Sequence, residues 1–200
     1  MKILVVGGHG TIGKAVVAKL INAKHEVITA GRKSGDKQVD LTSVESIQQL
    51  FAELGNVDHI VNVSGAATFA PIDQLTPESN LISVYGKLLG QINLALIGQH
   101  SLNPFGSITL TTGVMKDDPI PAGASAAMAN GGVAAFVKSA AIDLTNGKRI
   151  NCVSPTIVQE SLDVYGDSFK GFNAVPVAIV ANAYVKSVEG KQTGQEYQVY

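Results

Sequence analysis

Two hundred residues are enough for one domain with a real core, and 16% of them are charged where about 25% is usual. A formal net charge of −1 with a pI near 6.4 excludes the basic field that nucleic acid or anionic lipid would need. The single cysteine, Cys152, stands in an apolar run, which excludes a disulfide framework and a thiolate metal site; no metal is expected.

From the N-terminus, "KILVV" (2–6) reads as a strand buried on both faces, and no hydrophobic run there is long enough for a signal peptide. The helix "GKAVVAKLINAK" (13–24) puts Ala15, Val16, Val17, Leu20 and Ile21 on one face. "EVITA" (26–30) and "QVDL" (38–41) are the second and third strands, and Thr42 with Glu45 fits a capping box before a helix carrying Ile47, Leu50, Phe51 and Leu54. "HIVNVSG" (59–65) is the fourth strand. A connection rich in Pro, Asp and Ser leads to a helix over roughly 80–99. Then come a strand (107–112), a helix rich in small residues (123–144), a strand (149–154), a helix in "VPVAIVANA" and a strand (196–200). No apolar run approaches the ~20 residues that span a bilayer. The alternation predicts a Rossmann-type, doubly wound parallel sheet of about seven strands, flanked by helices, in one domain over 1–200.

Between the first strand and first helix stands "VVGGHGTIGKAVV", which contains Gly8-x-Gly10-x-x-Gly13 and, in another frame, Gly7-x-x-Gly10-x-x-Gly13. In that position the early glycines permit a tight turn and close approach to a pyrophosphate. Gly13 lets helix and strand pack, and Thr11 and Ile12 open the helix whose free N–H groups face the anion. His9 either leans on a phosphate or is an exposed loop histidine. After the second strand an NAD site would offer a carboxylate to the ribose. This chain has Gly31, Arg32, Lys33 and Ser34, and a guanidinium at Arg32 forks onto a 2′-phosphate that a carboxylate would repel. NADP(H) is therefore favoured over NAD(H), the alternative being a solvated basic turn.

With these motifs the chain resembles the short-chain dehydrogenase/reductase family over essentially its whole length. "VDLT" resembles the family's Asp-Leu pair, which implies Asp40 and Leu41 beside the adenine; "IVNVSG", continued by Ala66, resembles Asn-Asn-Ala-Gly and implies that Asn62, Val63, Ser64 and Gly65 close over the adenine-side ribose. "RINCVSPTIVQES" resembles the stretch that meets the nicotinamide amide, here Pro155, Thr156, Ile157 and Val158. The resemblance also implies an active-site tetrad, and there the pattern departs. Alignment puts Ala126 at the Tyr position, Asn130 at the Lys position, Gly113 at the Ser position and Lys87 at the Asn position. The segment between Pro155 and the last helix is shorter than the family's usual lid.

Two functional readings follow. In the first, the protein is an oxidoreductase for a small carbonyl or alcohol with a non-standard site, in which Lys87 stabilises the developing alkoxide and Thr111 or Thr112 donates a hydroxyl. The bland alternatives are an interface lysine and a β-branched strand end. Tyr85, two residues from Lys87, points to the opposite side of its helix and is discounted. In the second reading the protein is a catalytically silent NADP(H)-binding sensor or interaction module. The helices over 80–99 and 124–144, smooth and poorly charged, predict a homodimer or homotetramer. Neither nucleic acid nor membrane is an expected partner, and the expected location is the cytoplasm.

Overall fold

The computed structural model describes residues 1–200. Seven strands form one sheet in the order β3-β2-β1-β4-β5-β6-β7. They are β1 (Lys2–Val6), β2 (Glu26–Gly31), β3 (Lys37–Gln38), β4 (Val57–Asn62), β5 (Leu102–Thr111), β6 (Arg149–Pro155) and β7 (Glu196–Val199), and every neighbouring pair is parallel. The principal helices are α1 (Thr11–Asn22), α2 (Val44–Leu54), α3 (Pro77–Ser83), α4 (Gly90–Gly98), α5 (Ala124–Asp143), the one-turn α6 (Leu162–Tyr165) and α7 (Val177–Glu189).

Period-two alternation splits the buried strands between two cores. Leu4 and Val6 of β1, with Ile60, Ile108, Leu110, Ile150 and Cys152, face α2, α4 and α5. Ile3 and Val5, with Val61 and Val153, face α1 and α7. The chain reverses its direction across the sheet between β1 and β4, so a crevice opens at the carboxyl ends of these strands, where ligands of such sheets bind.

Several boundaries differ from the sequence reading. The third strand ends at Gln38: Val39 N–H still reaches Gly31 O on β2, but the next N–H, that of Asp40, is taken by Ser46 Oγ. β4 ends at Asn62, whose side chain folds Ser64 into a turn: Asn62 Oδ1 accepts from Ser64 Oγ at 2.8 Å and Asn62 Nδ2 donates to Ser64 O at 2.9 Å. The cap of α2 is Ser43, accepting from Ser46 N at 3.1 Å, and not Thr42; the Thr42 hydroxyl is taken by Asp40 Oδ1 at 2.7 Å. The third helix begins at Pro77 under a Thr76–Ser79 capping box and is π-wound over Val84–Leu89 before continuing as α4. As one rod, Pro77–Ser101 is 25 residues long and holds an 18-residue stretch of mean hydropathy 1.4, long and apolar enough by length and composition to cross a membrane. It is no uninterrupted apolar run, since Glu78, Lys87, Gln91 and Asn93 break it. In the fold this rod lies along the sheet between α2 and α5.

Candidate active site

The glycine turn is built by close approach. Gly7 has φ +83°, and a Cβ there would stand 2.8 Å from Ser64 Cβ; a Cβ on Gly13 would stand 2.1 Å from Gly7 O. No side chain could occupy either position, so α1 abuts the β1 turn and the loop after β4. Gly10 caps α1 without a side-chain hydrogen bond, and the first turn carries no acidic residue. The N–H groups at the start of α1 (Thr11, Ile12) are thus available to an anion, and the helix dipole favours negative charge there.

Beside this turn lies a cleft lined by Gly7, His9, Gly10, Arg32, Ser34, Asp40, Leu41, Ser64, Gly65 and Ala66, among others. Arg32, Lys33, Ser34 and His9 are all exposed. Asp36, the nearest carboxylate after β2, is turned away: it accepts from the backbone N–H and the hydroxyl of Thr29, both at 2.8 Å, which hold its pKa below the usual carboxylate value. Asp40 is held low by the hydroxyl and N–H of Thr42 and by the charge of Arg32.

Continuous with it through Gly65 and Ala66, a second cleft of about 650 Å³ opens under the segment between β6 and α7. Ile12, Lys87, Thr112, Gly113, Ala126, Pro155, Thr156 and Val158 line it. Lys87 is half-buried and reaches the cleft across the loop after β4, where a Cβ on Gly65 would come within 3.1 Å of Lys87 Cγ. It is the only cation of the lining, no carboxylate joins it, and desolvation pushes its pKa down to about 8. Thr156, buried behind the cleft wall, donates its N–H to Val199 O at 3.0 Å, while its hydroxyl has no partner.

The geometry separates the two threonines. Thr111 is a correction: its hydroxyl donates to Asn62 O at 2.5 Å and lies 2.7 Å from the hydroxyl of the fully buried Tyr184. It faces α7, because Thr109 and Thr111 share the side of β5 opposite Ile108 and Leu110. Thr112 lines the cleft, but its hydroxyl donates to Glu196 Oε1 at 3.1 Å, and Glu196 is bridged by Lys116 at 2.9 Å. Tyr85 is half exposed and does not line the cleft. On α5, Ala126 is fully buried in the wall, and Asn130 sits beside Gly113 with both amide atoms buried and unpartnered.

Sequence reasoning missed most of the apolar wall: Phe69, Met115, Ile120, Tyr165 and Phe169. A signal existed. Tyr165 and Phe169 are four residues apart and both face the cleft, while Val164, just before Tyr165, is 73% exposed.

Residues 11–194 match the family model described as enoyl-(acyl carrier protein) reductase. The chain belongs to the short-chain dehydrogenase/reductase family, whose members use a nicotinamide cofactor. Among its relatives, the hydroxynaphthalene reductase arp2 of Aspergillus fumigatus is 26% identical over 182 residues, which cover 80% of this chain and 67% of that protein. The crystal structure of the protein lin1944 from Listeria innocua is 56% identical, covers both chains completely and superposes with a TM-score of 0.98. A small-chain dehydrogenase solved in complex with NADPH is 22% identical, with 100% of this chain and 96% of the other covered and a TM-score of 0.89.

The residues present fit a dinucleotide. The side-chain-free cradle of Gly7 and Gly13 and the uncapped start of α1 suit a pyrophosphate, and the orphaned Thr156 hydroxyl stands where the second cleft meets the end of β6.

Proposed function

We propose that this protein is an NADP(H)-dependent oxidoreductase acting on a small carbonyl or alcohol substrate, with Lys87 as its electrophile. The observation that carries the reading is that Lys87 is the only charged side chain of a largely apolar cleft continuous with the dinucleotide cradle. Bound reduced cofactor supplies a hydride to the carbonyl carbon. Lys87 stabilises the charge that gathers on the carbonyl oxygen and gives that oxygen a proton, which solvent then returns to the amine. Preference for NADP(H) is supported by the exposed Arg32 and Ser34 on the ribose side of the first cleft and by the withdrawal of Asp36 onto Thr29. The NADPH complex of the small-chain dehydrogenase neighbour is in keeping with it.

The commitment of Thr112 to Glu196 favours a second reading, a cofactor-binding protein without turnover. The two separate on Lys87→Met. If the enzyme reading holds, this variant loses NADPH-dependent reduction of aldehydes and ketones at least a hundredfold while its NADPH affinity stays within threefold of wild type. Equal turnover by both proteins makes Lys87 structural; tight NADPH binding with no turnover by wild type favours the silent protein. In thermal melts, a hundredfold excess of NADPH over its Kd stabilises the fold by about 2.7 kcal/mol. NADH does so less, and Arg32→Ala removes most of the difference.

The same reading includes assembly as a homodimer or homotetramer. Leu81, Ile82, Tyr85 and Leu96 on the Pro77–Ser101 rod are each more than 40% exposed, as is Met128 on α5. Such a surface is unusual for a monomer and suits a second copy.

A further inference from the structure

The wall of the second cleft carries more information than its electrophile. Of the side chains that line it, only Lys87 and Tyr165 are ionisable. No arginine, histidine, aspartate or glutamate stands among them, so nothing but Lys87 could pair with a carboxylate, phosphate or ammonium on a substrate. A substrate anion that engaged Lys87 would take the group needed at the carbonyl oxygen. The remaining surface is apolar and partly aromatic: Phe69 and Ile120 from the connections before α3 and α5, Met115 from the turn after β5, and Tyr165 and Phe169 from the short lid. Phe169 is itself fixed by an edge-to-face contact with Phe172, their ring centroids 5.4 Å apart.

One hydroxyl of the lining is both buried and unpartnered, that of Thr156. Thr112 spends its hydroxyl on Glu196 and the Val153 carbonyl. Ser168 and Tyr165 are exposed on the lid, where water serves them. The Thr156 hydroxyl lies behind the wall, which leaves Lys87 as the buried polar group able to meet a carbonyl oxygen.

We infer that this cleft takes a neutral, apolar, aromatic carbonyl compound, with the carbonyl oxygen meeting Lys87 and the ring against Tyr165 and Phe169. The inference rests on the oxidoreductase reading and deepens it. An apolar pocket with a few placed polar groups selects by shape and by exclusion of charge, because an unpaired carboxylate inside it would lose its hydration without compensation.

The test uses the full chain with NADPH and a matched set of aldehydes: benzaldehyde, 4-phenylbenzaldehyde, 4-carboxybenzaldehyde and acetaldehyde. The expected result is a kcat/KM for the neutral aromatic aldehydes at least tenfold above that of 4-carboxybenzaldehyde. Phe169→Ala should lower kcat/KM more for 4-phenylbenzaldehyde than for acetaldehyde. Equal or better turnover of 4-carboxybenzaldehyde overturns the substrate class and leaves the oxidoreductase reading standing. If nothing is turned over, saturation-transfer NMR on the NADPH-loaded protein decides with the same compounds. Binding of 4-phenylbenzaldehyde by wild type and not by Phe169→Ala then supports the ligand class and overturns turnover. No binding of any aromatic aldehyde overturns the inference itself.

Discussion

Lys87 is where a charge meets an apolar wall, and a pH dependence follows. Neither the loop after β4, nor the end of β5, nor the start of α5 brings a charged side chain to that lining, and Tyr165 is its only other ionisable group. With its pKa pushed down to about 8 by desolvation, Lys87 keeps its proton at neutral pH and loses it as pH rises. Carbonyl reduction that depends on this proton should therefore fall tenfold per pH unit above about 8; a kcat/KM profile flat to pH 10 would contradict the assignment. His59 has the opposite consequence, for stability. It is 3% exposed, its Nδ1 lies 2.8 Å from Ser107 Oγ, and burial, assisted by the charge of Arg149, lowers its pKa to about 4. Above pH 6.5 the imidazole is neutral whether folded or unfolded, so it contributes no pH slope. Between 6.5 and 4 the unfolded chain takes a proton that the folded one refuses, and stability falls by up to about 3 kcal/mol. Asp36, Asp40 and Asp58 are held below the usual carboxylate range and do not titrate in the folded state within this window. Urea unfolding at pH 7 and pH 5 should show the loss in wild type and much less of it in His59→Gln.

Among the elements, the rod from Pro77 to Ser101 depends on residues that have no side chain. A Cβ on Gly98 would stand 2.6 Å from Ile60 Cδ1 and 2.7 Å from Phe51 Cζ, so the rod lies close enough to the sheet and α2 to touch both. Gly98→Ala gains up to about 1 kcal/mol of helix propensity, yet the overlap costs about 1–3 kcal/mol. The expected outcome is a lower urea midpoint with an unchanged slope, and a raised midpoint would refute the packing argument. The alternation of strands and helices was legible because buried parallel strands read as continuous apolar runs and the helices keep their own period. Where local hydrogen bonds compete, the reading slipped by a residue or two: Asp40 captures Thr42 and leaves the cap to Ser43, and Asn62 ends β4 early. The π-wound turn over Val84–Leu89 spans too few residues to leave a periodic mark. Alternation along β5 could have excluded Thr111 from the cleft, since Ile108 and Leu110 already claim the other side. The lid aromatics carried only a four-residue spacing, too short a pattern to separate from an ordinary surface turn.

Taken whole, the molecule shows an apolar flank on the Pro77–Ser101 rod and α5 that a second copy would cover. Light scattering at micromolar concentration should give two or four times the 20.8 kDa of the chain. A mass near 20.8 kDa would refute assembly, and Leu81→Lys with Ile82→Lys should drive an assembled protein to that mass. The glycine cradle and the sheet were legible together because one motif sits at the joint between them, whereas the cleft draws on segments from Ile12 to Phe169 that only tertiary structure gathers. The all-parallel sheet also bears on time. No strand meets its neighbour through a tight turn: Ile3 faces His59 across β1 and β4, and Ser107 faces Arg149 across β5 and β6. Except for β2 and β3, which only residues 32–36 separate, each closure waits for an intervening helix to be made and docked, and the loop entropy is spent before the pairing returns anything. On the ribosome, β1 therefore emerges apolar on both faces and stays open along one edge until β4 arrives. The chain is most exposed to misassociation in that interval, so lowering the growth temperature, which weakens apolar association, should raise the soluble yield.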